Sequence, residues 1–341
     1  MGNIIMSLKK IAELAGTSVS TVSRVLNQPG HNCNEPGLAE KIWNIAAKLN
    51  YLPNTSARNL RLGVSDRPEI FTVDIFLTRF DSMDKDYFFR ELFQHIKEEL
   101  LPQGCLLGDI LSAIDIMALG TSYISQKPST GLIILGKCPR KLVSVLKKRY
   151  AYIAGIDRNP TDYEYDEVIC NGTTAAQKAM EYLISLGHKN IAYIGDCTYE
   201  SRYIGYYQAL LNHNIPLNHR NIHPTDQTIN EGFDCMTSII RSPDRPTAIF
   251  CANDCTAIGA LKALKQNKKR GYLPSIISID NINDSQNTIP MLTTIDIPKK
   301  EMGHLAVMLL LDRKNGNRGE NVRIELPCRL IERESCTYNI N

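Results

Sequence analysis

The sequence predicts a small all-α head followed by a larger α/β domain of two lobes. Residues 7–50 contain short amphipathic stretches of helix length, separated by Gly and Pro. From Glu69 onward, apolar runs of strand length alternate with amphipathic runs of helix length. At roughly 150 residues per domain, the 341 residues correspond to two or three compact units. We therefore expect a head over 1–53, a linker over 54–68 and a two-lobed domain over 69–341.

Composition excludes several classes of protein. Hydrophobic residues make up 43% of the chain and charged residues 22%, which is typical of globular proteins and unlike disordered tails. No apolar run approaches the roughly 18 to 20 residues that cross a bilayer, and residues 1–10 lack a signal-peptide pattern, so we expect a cytoplasmic location. The ten cysteines form no Cys-x-x-Cys and no zinc spacing, which indicates small buried side chains and no metal site.

Positive charge is concentrated in the head. Residues 1–63 contain seven of the 39 Lys and Arg residues but three of the 36 Asp and Glu residues, so they carry +4 and the remainder carries −1. This asymmetry is typical of a segment that binds a polyanion. A solvated basic face without a partner is the alternative that charge alone leaves open.

The head is predicted to contain three short helices. Residues 7–15 place Leu8, Ile11, Ala12 and Ala15 on one helical face, and Gly16 follows as a suitable turn residue. Ser18 is a suitable N-cap for a second helix over 19–27, and a third helix is expected near 37–50. Two short helices around a tight Gly turn predict a helix-turn-helix.

The second helix has the side chains that read a major groove. Its N-terminal half is slim and polar, and Arg24 has the planar fork that matches guanine O6 and N7. The hydroxyls suited to phosphates or base edges are those of Ser18, Ser20, Thr21 and Ser23. A helical hairpin that packs on the rest of the protein is the alternative.

Residues 8–27 resemble the DNA-binding signature of the lactose-repressor (LacI/GalR) family, and residues 49–54 with 57–60 resemble its third-helix exit and hinge. The resemblance implies that Val19 and Ser20 contact bases and that residues 54–61 form a hinge helix that folds on operator DNA. It places Leu60 as a minor-groove wedge, which would kink the duplex; an ordinary linker leucine is the alternative. The implied DNA-binding set is Ser18, Val19, Ser20, Thr21, Ser23, Arg24, Asn27, Asn54, Ala57, Arg58 and Leu60.

The larger domain shows the alternation that is typical of βαβ units. The expected strands are 72–77, 104–107, 131–135, 152–156, 191–194, 248–251, 276–279 and 293–295. The expected helices are 87–100, 140–149, 173–186, 201–213, 231–241, 256–266 and 299–311. Ligands of such sheets bind at the carboxyl ends of the strands, so we expect a site in the cleft between the lobes.

The family resemblance extends over this domain through residues 187–195, 202–206, 246–254 and 292–294. It implies a two-lobed, periplasmic-binding-protein-like (type I) effector domain with three crossovers between the lobes. The implied effector-binding set is Phe88, Phe89, Asp157, Arg202, Asn253 and Asp280.

Each of these residues has a simpler alternative role. Arg202 is suited to a surface ion pair, Asn253 to a helix cap, Asp280 to a turn, and the two phenylalanines to the core. The sequence also departs from the family pattern, because Ser278 and Ile279 precede Asp280 where Gly and an aromatic are usual, and Ile297 stands where Gln is common. We therefore expect an effector pocket unlike that of well-known members.

The resemblance implies a repressor whose operator affinity is controlled by a small sugar. No leucine heptad follows Ser335, so we expect a homodimer that reads an inverted-repeat operator. Control by a phosphocarrier protein and a sugar-binding transport protein are the alternatives. No motif for nucleophilic, phosphate-binding or zinc catalysis occurs, so we expect neither an enzyme nor a cofactor, although Asp157 and Asp280 are a conceivable acid and base.

Overall fold

The computed structural model describes residues 8–27, 37–48, 71–79, 82, 86–119, 130–157, 164–198, 200–267 and 271–339. The head contains helices α1 (Leu8–Ala15), α2 (Val19–Asn27) and α3 (Leu38–Lys48). Gly16 turns the chain between α1 and α2 at a φ of 73°, a conformation that glycine adopts without strain. Side chains of all three helices form a small apolar core of their own. The predicted helix-turn-helix is therefore confirmed.

The first lobe, here called the N-lobe, is built on a parallel sheet. The strands are β1 (Thr72–Leu77), β2 (Leu106–Ser112), β3 (Thr130–Leu135), β4 (Tyr152–Asp157), β5 (Asp166–Ile169) and β11 (Arg323–Glu325). Their spatial order is β11-β5-β4-β3-β1-β2. The helices of this part of the chain are α4 (Tyr87–Leu100), α5 (Ala113–Leu119) and α6 (Arg140–Lys147).

The second lobe, here called the C-lobe, repeats this plan. Its strands are β6 (Ile191–Gly195), β7 (Ile222–Pro224), β8 (Ala248–Cys251), β9 (Ser275–Asp280), β10 (Thr293–Asp296) and β12 (Arg329–Ile331). Their spatial order is β12-β10-β9-β8-β6-β7, with β12 antiparallel to β10. The helices are α7 (Gly172–Ser185), α8 (Ser201–Asn212), α9 (Ile229–Arg241) and α10 (Asp254–Gln266). Helix α11 (Lys299–Lys314) follows β10 in the chain but packs against α4 and against strands β3, β4 and β5, so it belongs to the N-lobe. Short 3-10 helices span His219–Asn221 and Asn283–Asn287.

The chain passes between the two sheets three times. The first crossover follows β5, the second follows β10, and the third joins β11 to β12. The central strands are buried apolar runs, as expected for parallel strands covered on both faces. The predicted two-lobed architecture with three crossovers is therefore confirmed. No helix within the described ranges is long and apolar enough to span a bilayer.

The largest departure from the predicted elements concerns β2, which was expected over 104–107 and runs over Leu106–Ser112. Polar Gly108 and Asp109 interrupt the apolar pattern of this edge strand. The buried carboxylate of Asp74 explains them, because it accepts a 2.8 Å hydrogen bond from Asp109 N and lies where a Cβ of residue 108 would be. Strands β5, β7 and β11 and helix α5 were not predicted; the strands have three or four residues each, too few for a periodic signal.

Candidate effector cleft and DNA-binding helix

The N-terminal end of α2 is exposed, as a helix that enters a groove requires. Ser18 is the cap, since its Oγ accepts a hydrogen bond of 3.1 Å from Thr21 N. Val19 is 42% exposed and Ser20 is also exposed. Arg24 is exposed one turn later and donates from Nε to the Ser20 carbonyl at 3.4 Å. The sequence predicts these residues on one helix, and in the structure the side chains of Val19, Ser20 and Arg24 are exposed to solvent.

The remaining predicted DNA-binding residues divide into two groups. Thr21 and Ser23 are half-buried on α2, and Asn27 is its last residue. Asn54, Ala57, Arg58 and Leu60 lie outside the described residues.

A cleft of about 310 Å³ lies between the lobes, at the carboxyl ends of the strands. The N-lobe wall follows β1, β3 and β4, and the C-lobe wall follows β6 and β7. The cleft is lined by Thr78, Arg79, Phe89, Gly136, Lys137, Asp157, Asp196, Thr198, Glu200, Arg202, Thr225, Asp226 and Gln227. Arg79 spans the cleft by donating a hydrogen bond to the Asp226 carbonyl. The position agrees with the general rule for ligand sites in open α/β sheets.

Arg202 forms the base of the cleft and is 3% exposed. Its Nε donates to Glu200 Oε1 at 2.7 Å, its Nη1 to the Ala252 carbonyl at 2.9 Å and its Nη2 to Gln227 Oε1 at 2.9 Å. Glu200 is also the N-cap of α8, since Oε2 accepts from Arg202 N at 2.9 Å. A guanidinium has five N–H groups, so two remain to donate to the oxygens of a ligand.

Electrostatics keep Arg202 charged. Burial by itself lowers the pKa of the guanidinium, but the neighbouring Glu200, with smaller contributions from Tyr193 and Asp280, raises that pKa above its ordinary value. Because the guanidinium is held by three protein acceptors, its position is fixed before any ligand enters. Such a fixed donor binds hydroxyl or carboxylate oxygens with little loss of side-chain entropy.

The N-lobe wall supplies one apolar surface. Asp86 caps α4 by accepting from Phe89 N at 3.1 Å, which sets the ring of Phe89 at the cleft. Gly136 packs beside this ring at a φ of 92°, and a Cβ there would lie 2.5 Å from Thr78 Oγ1. Asp157 ends β4 and lines the same wall. The cleft thus combines an aromatic ring with several polar groups.

Three of the six predicted effector residues, Phe89, Asp157 and Arg202, line the cleft, and the other three have structural surroundings. Phe88 is buried in the N-lobe core, with the Lys299 ammonium 5.8 Å from its ring centre. Asn253 is the N-cap of α10, accepting from Thr256 N at 2.9 Å, and it donates to the Gln227 carbonyl at 3.1 Å. Its contact with the cleft is therefore indirect.

Asp280 is buried at the end of β9, with a φ of 125° that few residues other than glycine adopt. Its carbonyl accepts from Lys299 Nζ at 2.6 Å. Its charge also acts on the neighbouring Asp254, where burial first and Asp280 second raise the pKa to about 7. Asp280 is thus the last residue of β9 and is not among the residues that line the cleft. Its role in effector binding stays a prediction.

Sequence reasoning missed Glu200 and Gln227, which hold Arg202 in place. Glu200 had a detectable signal, because a negatively charged side chain just before a predicted helix interacts favourably with the helix N-terminus. Gln227 had none, since it follows the unpredicted three-residue strand β7. Within the described part of the chain, no group of three His, Cys, Asp or Glu side chains has the arrangement of a metal site.

Comparisons with known proteins agree with this geometry. Residues 7–54 match the model of bacterial regulatory proteins of the lacI family, and residues 180–336 match that of the periplasmic binding protein-like domain. The HTH-type transcriptional repressor PurR of Erwinia tasmaniensis is 30% identical, over 96% of this chain and 96% of that protein.

Two solved structures share the fold over nearly the whole chain. One is the transcriptional regulator CelR–cellobiose complex, with a TM-score of 0.69 and 22% identity over 97% of this chain and 100% of that one. The other is the lac repressor dimer bound to operator and the anti-inducer ONPF, with a TM-score of 0.66 and 23% identity over 97% and 99%. The chain therefore belongs to the lacI family of bacterial regulatory proteins and is a transcriptional repressor, not an enzyme.

Proposed function

We propose that this repressor binds an inverted-repeat operator as a homodimer in the cytoplasm. A small sugar that enters the cleft between its lobes changes its affinity for the operator, either lowering or raising it. The observation that carries the proposal is the buried, pre-positioned guanidinium of Arg202 at the base of that cleft. Sugar sites need planar hydrogen-bonding groups for vicinal hydroxyls and an apolar surface for the ring. Arg202, Asp157 and Phe89 supply these elements.

The volume of the cleft is consistent with a small ligand, since such sites begin at about 300 Å³ and this one measures about 310 Å³. CelR, a structural neighbour, is known with cellobiose bound. We assign direct contacts to Phe89, Asp157 and Arg202, and a supporting role to Asn253 and Asp280. Phe88 would then shape the wall from behind Phe89, whose ring centre is 5.2 Å away.

For DNA binding, we assign base contacts to Val19, Ser20 and Arg24. The exposed Val19 side chain is suited to a thymine methyl group, and Arg24 to a guanine. Residues 54–61 would form the hinge at the operator dyad, with Leu60 as wedge. The structural neighbour bound to operator is a dimer.

An apolar surface on the N-lobe favours the homodimer. Ile110 on the edge strand β2 is 47% exposed, and Ile114 and Met117 of α5 are exposed beside it. An unpaired edge strand can pair with another chain, and neighbouring exposed apolar side chains mark an interaction surface. Sedimentation of Met117→Lys should show a shift to monomer, whereas Met308→Lys on α11 should remain a dimer. If both variants remain dimers, this surface is not the dimer interface.

The experiment that tests the effector is thermal melting against a panel of about forty sugars, sugar phosphates and purines, because a ligand at about 1,000 times its Kd stabilises the fold by about 4 kcal/mol. We expect one chemical class to raise the Tm of the wild type and of the exposed-surface control Arg220→Ala. Arg202→Ala should show no shift while still binding operator. If Arg202→Ala fails to fold, Gln227→Ala is the second variant, because it retains the guanidinium but removes one of its acceptors. The ligand should then raise the Tm by less than it does in the wild type.

A flat panel with folded protein would contradict the sugar proposal. In that case control by a phosphocarrier protein on the N-lobe becomes the better hypothesis, and co-sedimentation with such a protein is the next assay. A shift that survives in Arg202→Ala would instead contradict the assignment of the cleft.

A further inference from the structure

The C-lobe has a second cavity, at the opposite end of its sheet from the effector cleft. This cavity, here called the rear cavity, measures about 350 Å³, against about 310 Å³ for the cleft. Its lining residues come from the start of β6, from the segment just before β7, and from the second half of α8 with the loop that follows it. The cleft lies at the carboxyl ends of the strands and the rear cavity at the amino ends of β6 and β7, so the two sites are separate.

One wall of the rear cavity is apolar. Tyr206, Leu210 and Ile215 line it, and all three are buried. The Tyr206 hydroxyl donates to the Ile191 carbonyl at 2.9 Å, so it is already used within the protein. These side chains therefore offer a ligand hydrocarbon and ring surface, which is the usual lining of small-molecule sites.

One buried oxygen of the rear cavity has no donor in the described part of the chain. Asn221, which is 5% exposed, lines the cavity. Its Nδ2 donates to Asn190 Oδ1 at 2.7 Å and to the Ile191 carbonyl at 3.5 Å, and these two acceptors fix the orientation of the amide. Its Oδ1 accepts no hydrogen bond from any residue that the structure describes. A buried carbonyl oxygen in this position favours a ligand that brings an O–H or N–H donor.

The charge of the rear cavity is positive. Lys189 is exposed at its rim, and within the described ranges its ammonium makes neither an ion pair nor a hydrogen bond. His213 also lines the cavity, and its Nε2 lies 2.7 Å from Oε2 of Glu181 on α7. Among the described residues that line the cavity, none is an Asp or a Glu. The rear cavity therefore attracts an anionic group.

We propose that the rear cavity binds a small α-hydroxy acid with an apolar side chain. The carboxylate pairs with the Lys189 ammonium, the hydroxyl donates to Asn221 Oδ1, and the apolar side chain packs on Leu210 and Ile215. The hydroxyl and the carboxylate are on adjacent carbons in such a molecule. Their partners are also close together, because Lys189 adjoins Asn190, whose side chain is hydrogen-bonded to Asn221.

Two related classes of ligand fit the rear cavity less well. An α-amino acid of the same shape carries an ammonium in place of the hydroxyl, and the lining residues offer that ammonium no carboxylate. A neutral sugar has neither an anionic group nor an apolar side chain. The assignment of an α-hydroxy acid does not depend on the function proposed for the cleft.

Calorimetric titration of the full-length protein tests the class of ligand. The probe is leucic acid, the α-hydroxy analogue of leucine. Three matched compounds each change one group: isocaproate lacks the hydroxyl, lactate has a shorter apolar chain, and leucine carries the ammonium. We expect each of them to bind at least about tenfold more weakly than leucic acid. If leucic acid fails to bind at millimolar concentrations, or if isocaproate binds equally well, the proposal is overturned.

Two lysine variants test the position of the site. Lys189→Ala removes the exposed ammonium at the rim and should bind leucic acid at least several-fold more weakly, with the fold intact. Lys137→Ala removes a lysine that lines the effector cleft and should bind leucic acid as the wild type does. Wild-type affinity in Lys189→Ala, or a loss of affinity in Lys137→Ala, would overturn the assignment to the rear cavity. A negative sugar panel would leave this result unaffected, since neither the probe nor the variants depend on an effector.

Discussion

Replacing Glu200 by Gln removes one charge and almost no volume from the base of the cleft. The carboxylate uses both oxygens, because Oε1 accepts from Arg202 Nε at 2.7 Å while Oε2 accepts from Arg202 N at 2.9 Å and from Tyr203 N at 3.4 Å. A carboxamide has one acceptor oxygen, so Glu200→Gln keeps either the cap of α8 or the bond to the guanidinium. The NH2 of the carboxamide then occupies the other position, where it faces an N–H donor of Arg202 and accepts no hydrogen bond.

The expected loss follows from these contacts. Breaking a buried ion pair costs about 3–5 kcal/mol, and Arg202 retains its bonds to the Ala252 carbonyl and to Gln227. We therefore expect the low end, about 3 kcal/mol, which lowers the Tm by roughly 6–12 °C at 2–4 °C per kcal/mol for domains of this size.

Urea unfolding and calorimetry measure both quantities, and Glu181→Gln is the matched control. Glu181 makes an exposed pair with His213 at 2.7 Å on the same lobe, so its loss should cost less than about 1 kcal/mol. Equal losses in the two variants would refute the reasoning that Glu200 holds a buried guanidinium in place. Operator affinity without effector should be unchanged in both.

Three further predictions concern the head, the hinge and pH. Arg24→Ala should reduce discrimination between operator and mutated operator by about 1–3 kcal/mol in binding titrations, and unchanged discrimination would exclude base contact. Leu60→Ala should weaken specific binding and reduce DNA bending in circular-permutation gel assays, whereas a wild-type bend would exclude the wedge. Burial raises the pKa of Asp254 to about 7 from an ordinary 3.8, so the free energy of unfolding should fall as pH rises from about 4 to about 7. Asp254→Asn should show a flatter pH dependence in urea titrations, and an identical slope would contradict the shift.

Most of the fold was predictable from the sequence because its signals are local. The central strands are buried on both faces, so each appears as a continuous apolar run, as β8 (Ala248–Cys251) does. The edge of the N-lobe sheet was not predictable, since β2 obtains its register from the buried Asp74 carboxylate, 35 residues earlier in the chain. A contact of that kind leaves no periodic pattern.

The site was predictable in position but only partly in its residues. The rule that ligands bind at strand ends identified the cleft, and the family resemblance identified Arg202. The network around Arg202 was not predictable, because Gln227 comes from a different loop and adopts a φ of 65°. Similarly, Asn253 serves α10 as a cap, and the sequence motif alone does not separate that role from ligand binding.

Lys299 provides a last test of how the lobes are coupled, because one ammonium group joins them at the second crossover. Its Nζ donates to the carbonyls of Asp280 and Asn281 at 2.6 and 3.0 Å and lies 3.5 Å from Glu91 Oε2 on α4, whose other oxygen accepts from Asn283 N at 2.7 Å. Lys299→Met keeps most of the volume but removes the ammonium that bridges the end of β9 and α4, while the hydrogen bond from Asn283 N to Glu91 stays.

Because the proposed binding of a ligand between the lobes would act through this connection, we expect Lys299→Met to bind effector at least several-fold more weakly while its affinity for operator without effector stays the same. Melting and binding titrations with the compound class identified by the panel measure both quantities. Lys300→Met, at the exposed neighbouring position, should behave as wild type. A folded Lys299→Met protein with wild-type effector affinity would show that the other links between the lobes, such as the hydrogen bond from Asn283 N to Glu91, couple them without the ammonium that bridges α4 and β9.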